Sequence, residues 1–333
     1  MQKFLDEAID QHVFPGCVCL IMNKNEKQYY IAGKKMYDKE TSLSYDSLFD
    51  LASLTKVFST TMMVLRLIQN GQLSYETKVS QILKSFNNVH VRIKHLLTHS
   101  SGLPADLPWK NGEGKSRILN DIYDLVNEDL QLGKVCYSDL GYILLGEIIE
   151  TISGHSLDEV FEKEVKEPLN LPYATYHPEK EQCVPTEICP YTHILLQGVC
   201  HDRKGRGFNG LAGHAGVFAT IYDLEIFVSM ILNNDGTYLE KKYIDDLFTT
   251  YASTEGMNRG IGFITYNERS IFSTYNSKQS ICHTGFTGTS ILVDREKQFA
   301  CVLLSNRVYP SRENTKIISW RKLLHEEAMK KYS

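Results

Sequence analysis

The sequence predicts an α+β protein in which an antiparallel sheet is flanked by N- and C-terminal helices and joined to a mostly helical lobe. Apolar, β-prone runs lie near both ends of the chain, whereas its middle carries apolar residues at helical spacing. We therefore expect a single domain over residues 1–333. Its α/β lobe is expected to be discontinuous, built from about residues 1–58 and 211–333, with a helical lobe over about residues 59–210.

The N-terminal part of the chain predicts a helix, a hairpin and a second helix. Residues 1–10 have the apolar and charged pattern of an amphipathic helix. Residues 17–22 and 28–31 are apolar and β-prone, and the turn-like Asn23-Lys24-Asn25-Glu26 between them predicts an antiparallel hairpin. Residues 55–69 carry apolar side chains at helical spacing, and Asn70-Gly71 supplies a C-terminal cap.

The rest of the chain predicts helices first and strands afterwards. Residues 93–98 and 140–152 have helical periodicity, and Ser153-Gly154 stops the second of these helices. About residues 166–210 are rich in proline and turn residues, which predicts loops. Further predicted elements are a helix over 223–233, strands over 262–266, 280–283, 289–294 and 300–305, and an amphipathic closing helix over about 313–331.

The composition excludes several classes of function. At 333 residues with a net charge of -4, the chain is ordinary and globular, and it has no basic stripe of the kind that binds nucleic acid. Its apolar runs are too short to span a bilayer. The acidic residues among the first ten oppose a signal peptide, so we expect a cytoplasmic protein with no membrane partner. The composition does not indicate an oligomeric state.

Neither a metal nor a cofactor is expected. The eight cysteines are expected to stay reduced in a cytoplasmic protein. Cys183, Cys189, Cys200 and His201 lack the paired C-x-x-C spacing of a zinc site. Residues 205–210 match G-x-G-x-x-G, but they follow a polar segment and not a buried strand, so no dinucleotide is expected.

The pattern S-x-x-K occurs twice. Ser319-Trp320-Arg321-Lys322 lies inside the predicted closing helix and is interpreted as a chance match. Ser53-Leu54-Thr55-Lys56 lies where an apolar approach meets the start of a helix, and the free N–H groups there favour an alkoxide or oxyanion. Lys56 lies one turn further on, close enough to take the hydroxyl proton, and burial favours its neutral form. The alternative is that Ser53 is only a helix N-cap and Lys56 a surface cation.

The order of the remaining motifs resembles that of a known family. Ser53-Leu54-Thr55-Lys56 is followed by Tyr137-Ser138-Asp139 and then by His283-Thr284-Gly285. These elements are similar to the signature of the penicillin-recognising serine hydrolases, which include class C β-lactamases, DD-peptidases, D-aminopeptidases and family VIII esterases. Residues 95–103, 137–142, 212–218 and 283–289 also resemble family segments, and the likeness covers about residues 12–310. Histidines in these segments that lie outside the three elements are interpreted as buried structural residues, namely His95, His99 and His214.

The resemblance implies a β-lactamase/transpeptidase-like fold and a role for each matching residue. Ser53 is the nucleophile that a carbonyl substrate acylates. Lys56 is the base, or a cation that supports another base. Tyr137 carries the proton to the leaving group and then activates the deacylating water. The backbone N–H groups of Ser53 and Phe286 form the oxyanion hole.

Asp139 and His283 depart from the usual pattern of the family. The second element often ends in Asn, which both donates and accepts, whereas an ionised Asp139 only accepts. Near Lys56 it favours a charged lysine and moves the base role to Tyr137; alternatively, Asp139 points away and is structural. The third element often begins with Lys, and His283 is charged only part of the time at neutral pH.

These departures favour an esterase or small-amide hydrolase that acts through an acyl-enzyme on Ser53. Gly285 and Gly288 suit a strand edge that a substrate backbone approaches closely. The residues expected to bind substrate or support the site are Asp139, His283, Thr284 and Gly285. The expected partner is a small-molecule ester or amide. A β-lactamase or D-alanyl-D-alanine peptidase is the first alternative, and a non-catalytic binding or scaffold protein of the same fold is the second.

Overall fold

A computed structural model describes residues 1–108, 114–125, 130–268 and 272–332. The strands in these residues are β1 (Gly16–Met22), β2 (Lys27–Gly33), β3 (Phe49–Asp50), β4 (Phe218–Ala219), β5 (Ala252–Thr254), β6 (Met257–Arg259), β7 (Ile264–Thr265), β8 (Ser280–Thr284), β9 (Ser290–Asp294) and β10 (Phe299–Ser305). Within this part of the chain, eight of them form an antiparallel sheet in the order β2-β1-β10-β9-β8-β7-β6-β5, and β3 pairs with β4 separately. The predicted α+β class with an antiparallel sheet is confirmed.

Strands from distant parts of the sequence meet inside this sheet. β1 pairs with β2 as the predicted hairpin and on its other side with β10, where Cys17 lies opposite Ser305. Alternate residues of β1 enter different cores, because side chains of a strand point to opposite faces. Val18 and Leu20 pack towards the helical part of the chain, whereas Cys17 and Cys19 pack towards the terminal helices.

Helices therefore cover both faces of the sheet. On one face, Leu5 of the first helix and Leu324 of the last share a core with β1 and β10. On the other face, the helix Asp139–Ser153 buries most of its length in the larger core. The α-helices are Gln2–Asp10, Thr61–Gln69, Val79–Ile82, Ile93–Leu97, Lys115–Asp124, Asp139–Ser153, Leu157–Phe161, Glu167–Leu169, Arg203–Gly207, Ile221–Asn233, Lys241–Phe248 and Ile317–Tyr332. Ala52–Leu54 and Lys180–Gln182 are 3₁₀ turns, and Lys56–Thr60 and Glu162–Lys166 are π-helical turns.

The structure departs from the predicted elements mainly at short polar segments. The strand predicted over 262–266 is reduced to Ile264–Thr265, and the closing helix begins at Ile317 instead of near residue 313. The sequence does not predict β5 and β6, because each has only three residues and little apolar character. No helix in the described ranges combines the length and the apolar character needed to cross a bilayer. All eight cysteines fall within those ranges, and none is disulfide-bonded.

Candidate active site

Ser53 lies at a sharp turn between β3 and a long helical segment. β3 ends at Asp50, and the 3₁₀ turn Ala52–Leu54 carries the serine. Ala52 has a φ of +47°, a left-handed conformation that costs a non-glycine residue roughly 1–2 kcal/mol. Its backbone N–H donates to Oδ1 of Asp50 over 2.8 Å, which stabilises this conformation. The turn leaves the Ser53 side chain partly exposed to a cavity.

Buried polar contacts anchor this serine-bearing turn. Oδ2 of Asp50 accepts the backbone N–H of His201 over 2.7 Å. Burial raises the pKa of Asp50, and the N–H donors of the backbone act in the opposite direction. Thr287 donates to the carbonyl oxygen of Asp50 over 2.7 Å, and Thr289 donates to that of Leu51 over 3.1 Å. These contacts tie the turn to the segment that follows β8.

Lys56 is fully buried, and its ammonium nitrogen points at the serine. Nζ donates to Oγ of Ser53 over 3.0 Å and to the carbonyl oxygen of His214 over 3.1 Å, and Oδ1 of Asp139 lies 2.7 Å away. Burial opposes the charge, but the Asp139 carboxylate and the Tyr137 hydroxyl outweigh it and raise the pKa of Lys56 above its ordinary value. The sequence left open whether Lys56 is a neutral base or a cation, and these contacts favour the cation.

Asp139 opens the helix Asp139–Ser153, where the positive end of the helix dipole stabilises a carboxylate. Ser138 caps this helix by accepting the backbone N–H of Gly141 over 3.4 Å. The hydroxyl of Ser138 also donates to the carbonyl oxygen of Pro104 over 2.6 Å. The carboxylate of Asp139 faces Lys56 and lines the cavity, so it is part of the site and does not point away.

The ring of Tyr137 lies among basic side chains. Nζ of Lys56 and Cζ of Arg259 each lie 5.1 Å from its ring centroid. The ring of His99 packs against it at an angle of 36°, with the centroids 4.5 Å apart. Cations at this distance interact favourably with an aromatic ring, and they also offset negative charge that develops on the phenolic oxygen.

His99 holds the backbone on both sides of Tyr137. Its Nδ1 accepts the backbone N–H of Ser138 over 3.0 Å, and its carbonyl oxygen accepts that of Cys136 over 2.8 Å. Burial and the charge of Arg259 lower the pKa of His99 well below its ordinary value, so the ring is neutral. Since Nδ1 accepts a hydrogen bond, the proton lies on Nε2. The sequence interpretation of His99 as a buried structural residue agrees with its burial, but it misses this contact with the tyrosine.

His283 and Thr284 lie at the end of β8, behind the ring of Tyr137. The His283 ring is buried with its centroid 6.0 Å from that of Tyr137, and its Nδ1 lies 3.0 Å from the carbonyl oxygen of Thr284. Burial, together with the charges of Arg259 and Lys56, lowers the pKa of His283 well below its ordinary value. His283 is therefore neutral near pH 7, whereas its residue type alone predicts partial charge. Neither it nor Thr284 lines the cavity at Ser53.

Gly285 allows the turn after β8 to approach the serine-bearing turn closely. A Cβ on Gly285 would lie 2.4 Å from the carbonyl oxygen of Leu51, a distance that only glycine avoids. The carbonyl oxygen of Gly285 accepts the N–H of Gly288 over 3.2 Å. Because the peptide is trans, the N–H of Phe286 points away from that carbonyl. Phe286 lines the same cavity as Ser53, with its ring half-exposed.

The cavity in front of Ser53 has a volume of about 360 Å³. It is large enough for a small organic substrate. Acidic, basic and aromatic side chains share its wall. The lining residues are Ala52, Ser53, Asp106, Leu107, Tyr137, Asp139, His201, Asp202, Arg203, Lys204, His214, Ala215, Phe286 and Arg312.

His214 and Asp202 form one side of this cavity. Nε2 of His214 lies 2.8 Å from Oδ1 of Asp202, which also accepts the N–H of Gly205 over 2.8 Å. Burial raises the pKa of Asp202, but the His214 ring and the Gly205 N–H outweigh it and hold that pKa below its ordinary value. This contact fixes the loop in which the carbonyl oxygen of His214 receives the hydrogen bond from Lys56.

The structure thus gathers four of the predicted site residues, Ser53, Lys56, Tyr137 and Asp139, with Phe286 beside them. Ser319 of the second S-x-x-K pattern is exposed on the closing helix and donates to the carbonyl oxygen of Lys316. Sequence reasoning assigned no role to the buried neighbours Asp50 and Arg259, and it gave His99 only a structural one. In the described ranges, no group of three or more His, Cys, Asp and Glu side chains is arranged to hold a metal ion.

Known proteins share this arrangement of sequence and fold. A profile of the Beta-lactamase family matches residues 1–324. The "N-acetylmuramyl-L-alanine amidase" of Bacillus subtilis (strain 168) is 30% identical over 91% of this chain and 80% of its own length. The "Putative D-alanyl-D-alanine carboxypeptidase" of Escherichia coli (strain K12) is 27% identical over 92% of this chain and 81% of its own. The structure titled "EstCE1, a hydrolase with promiscuous acyltransferase activity" has a TM-score of 0.78 at 18% identity and covers 96% of this chain and 97% of its own.

Proposed function

This chain belongs to the Beta-lactamase family and is a serine hydrolase of the β-lactamase fold, and from that premise we propose that it hydrolyses small esters or amides through an acyl-enzyme on Ser53. The proposal rests above all on one contact, the hydrogen bond of 3.0 Å from Nζ of Lys56 to Oγ of Ser53. The serine is at the cavity surface while the lysine is buried behind it. This is the geometry of a nucleophile that is reachable by substrate and held by a cation.

Acylation begins with attack by Oγ of Ser53 on the substrate carbonyl carbon. Because Lys56 is a cation, Tyr137 relays the proton: its oxygen takes the proton of Ser53 as its own hydroxyl proton moves towards the leaving-group atom, while Lys56 stabilises the negative charge between the two oxygens. The electron pair of the carbonyl bond moves to its oxygen, which the N–H groups of Ser53 and Phe286 stabilise. When this tetrahedral intermediate collapses, the leaving group takes the proton from Tyr137 and departs as an alcohol or amine.

Deacylation repeats the same proton path in reverse. Water replaces the leaving group in the cavity, and as its oxygen attacks the acyl carbon it gives a proton to the oxygen of Tyr137, whose own hydroxyl proton moves towards Ser53. Collapse of the second intermediate breaks the bond to Ser53, whose oxygen recovers the proton from Tyr137. The carboxylic acid product leaves, and the resting contacts of Lys56 are restored.

A peptidase that cleaves D-alanyl-D-alanine is the second candidate. It is favoured by the names of two relatives, since one is called an amidase and another a putative D-alanyl-D-alanine carboxypeptidase. The neutral, buried His283 does not supply the cation that a terminal carboxylate needs, so this reaction, like β-lactam hydrolysis, requires a cation elsewhere in the cavity.

A serine-directed fluorophosphonate probe tests the nucleophile. We expect it to label the wild type at Ser53, to spare Ser53→Ala, and to label Ser319→Ala normally, because Ser319 carries the same S-x-x-K pattern on an exposed helix. Equal labelling of wild type and Ser53→Ala would refute the proposal. Turnover of short-chain p-nitrophenyl esters, a D-alanyl-D-alanine amide and nitrocefin, each compared with Ser53→Ala, then separates esterase, peptidase and β-lactamase activity.

The same assays test Tyr137. Removal of its hydroxyl in Tyr137→Phe should lower kcat by about 100- to 10,000-fold, the usual contribution of a positioned acid or base. A folded protein that hydrolyses none of these substrates and resists the probe would instead support the non-catalytic alternative.

A further inference from the structure

The cavity at Ser53 contains an arginine whose charge is not matched by a carboxylate in the described residues. Asp139 pairs with Lys56 at 2.7 Å, and Asp202 pairs with His214 at 2.8 Å. The remaining acid–base pairs of the wall are Asp106 with Lys204 at 2.7 Å and Glu187 with Arg312 at 2.6 Å. Arg203 makes no such pair in the part of the chain that the structure describes.

The other two cations of the wall are already committed to protein groups. Nζ of Lys204 donates to the carbonyl oxygen of Leu107 over 2.6 Å in addition to its contact with Asp106. Arg312 makes a two-point contact with Glu187, with Nε and Nη2 donating to both carboxylate oxygens over 2.6–3.1 Å. Such forked pairs are strong and leave little attraction for a further anion.

Arg203 is nevertheless held in a defined orientation. Its guanidinium carbon lies 3.7 Å from the ring centroid of Tyr191, a stacking distance for a planar cation on an aromatic ring. Its Nε is buried and has no hydrogen-bond partner among the described residues. The side chain also lines the cavity that holds Ser53. A guanidinium that is held in one orientation at a cavity wall, without a carboxylate partner in the described residues, is suited to a planar carboxylate, which it can bind through two parallel hydrogen bonds.

Resting on the proposed function, we propose that Arg203 binds a carboxylate group of the substrate, so that the preferred substrates are anionic esters or amides. The neutral, buried His283 does not supply this charge, and it does not line the cavity. Recognition of the carboxylate is therefore assigned to the start of the helix Arg203–Gly207, which His201 and Asp202 directly precede.

Pairs of esters that differ only in a carboxylate test this assignment. Mono-p-nitrophenyl glutarate against p-nitrophenyl valerate places the charge on the acyl group, and 4-(valeryloxy)benzoate against phenyl valerate places it on the leaving group. For each pair we take the ratio of kcat/KM for the anionic ester to that for the neutral ester. In Arg203→Gln this ratio should fall at least fivefold for one of the two pairs, and Arg203→Lys should recover part of it. Lys180 is exposed and lies outside the cavity lining, so Lys180→Gln is the control that removes one positive charge away from the site. This variant should leave both ratios unchanged.

A smaller fall with both pairs overturns the assignment, as does an equal fall in Lys180→Gln. Binding measured without turnover separates this result from failure of the proposed function. In a Ser53→Ala background, calorimetry with glutaranilic acid, 4-(valerylamino)benzoate and neutral valeranilide should show weaker binding of one anionic anilide, at least fivefold, when Arg203→Gln is added. If Ser53 proves unreactive while this difference is present, the hydrolase proposal fails and the carboxylate site stands; if the difference is absent, the carboxylate site fails.

Discussion

Arg259 lies over the ring of Tyr137, with its guanidinium carbon 5.1 Å from the ring centroid, and in the described residues it has no carboxylate partner. It is 2% exposed, and its Nε and Nη1 find no hydrogen-bond acceptor there. Burial lowers the pKa of Arg259, and the Tyr137 oxygen acts in the opposite direction. A buried cation without a carboxylate partner lowers the stability of the fold. We therefore infer that Arg259 contributes to the reaction at Tyr137.

We therefore expect Arg259→Met to separate stability from activity. Replacing a buried charge with an apolar side chain of similar size is often neutral or stabilising by about 1–4 kcal/mol. The value of kcat should instead fall about tenfold, because one of the cations that offset charge on Tyr137 is lost. Urea unfolding and ester turnover measure the two effects.

Arg321 provides the control for that substitution. Burial lowers its pKa to about 10, and it lies on the closing helix, away from the cavity lining. Arg321→Met should leave kcat unchanged. Loss of activity in Arg259→Met that merely follows a loss of folded protein would contradict a role at Tyr137.

His99 should position Tyr137 through its Nδ1 acceptor. His99→Asn keeps an acceptor near that position and suits the φ of +53°, a conformation that Asn adopts more readily than most residues. His99→Phe keeps a ring against Tyr137 but leaves the N–H of Ser138 without its acceptor. We expect kcat to fall roughly 10- to 100-fold in the Phe variant, since small misplacements of catalytic groups have effects of this size.

The Asn variant should retain more of the wild-type kcat than the Phe variant. Both rates are expressed per Ser53 reactive towards the fluorophosphonate, so that unfolded protein does not enter the comparison. The reverse order of activities would show that ring stacking, and not the hydrogen bond, holds the tyrosine.

Asp139→Asn should destabilise the protein by leaving Lys56 buried without its counter-ion. Breaking a buried ion pair on one side costs about 3–5 kcal/mol, and the 25% exposure of the Asp139 side chain places this case at the lower end. Urea unfolding at pH 7 measures the loss. Glu76→Gln, which removes the carboxylate beside the more exposed Lys94, should cost at most about 1 kcal/mol.

The pH dependence of stability should also change in Asp139→Asn. In the wild type the pKa of Lys56 in the folded protein lies above its pKa in the unfolded chain. The contribution of the charged Lys56 to stability is therefore constant at pH values below the unfolded pKa and is lost only in strong alkali. Without Asp139, only Tyr137 still opposes burial, which is the largest influence on this group, and we expect the pKa of Lys56 to fall below the unfolded value of about 10.4. The unfolded chain then binds more protons than the native state, and the variant should regain stability as the pH rises towards 10. If the free energies of unfolding of the wild type and Asp139→Asn differ by the same amount from pH 7 to 10, this account is contradicted.

Buried histidines should lower the stability of the folded protein at mildly acidic pH. This loss begins above the pH range in which most carboxylates titrate. Burial lowers the pKa values of His99 and His283 well below their ordinary range, and burial with the charge of Arg321 lowers that of His325 to about 3. As the pH falls below about 6.5, the unfolded chain binds protons that the native state does not, and stability declines. Each such histidine contributes a slope of up to about 1.4 kcal/mol per pH unit.

Urea unfolding between pH 5 and 7 measures this slope. His325→Gln should reduce it by the share of one histidine, because this residue packs on Phe272 and Ser290 away from the cavity. An unchanged slope in that variant would mean that other groups dominate the acid sensitivity.

The parts of this structure that the sequence predicts are those with a local signal. β1 and β10 are apolar along nearly their whole length, and the helix from Asp139 begins at a capping serine and ends at Gly154. The serine that we propose as nucleophile is also predictable, because Lys56 follows it at the spacing of one helical turn and the motifs at Tyr137 and His283 follow in the order of the family.

The remaining features depend on contacts between distant segments. Arg259 belongs to a three-residue strand without periodicity, and only the folded chain brings it to Tyr137. Asp50 reads as part of an apolar approach to the serine, yet it bridges that turn to His201. The residue type of His283 suggests a partial charge, but burial and neighbouring cations, which no local pattern encodes, make it neutral.

The pairing of β1 with β10 has a consequence for biosynthesis. Cys17 reaches its partner Ser305 only after about 290 further residues have been made. At a translation rate of about 5–20 residues per second, the β1–β2 hairpin waits roughly 15–60 s for the strand that covers its open edge. Thr287 and Thr289, which anchor the serine-bearing turn, emerge from the ribosome just as late. A nascent or shortened chain therefore carries the nucleophile long before it can use it, and hydrolysis is confined to molecules whose synthesis has passed β10.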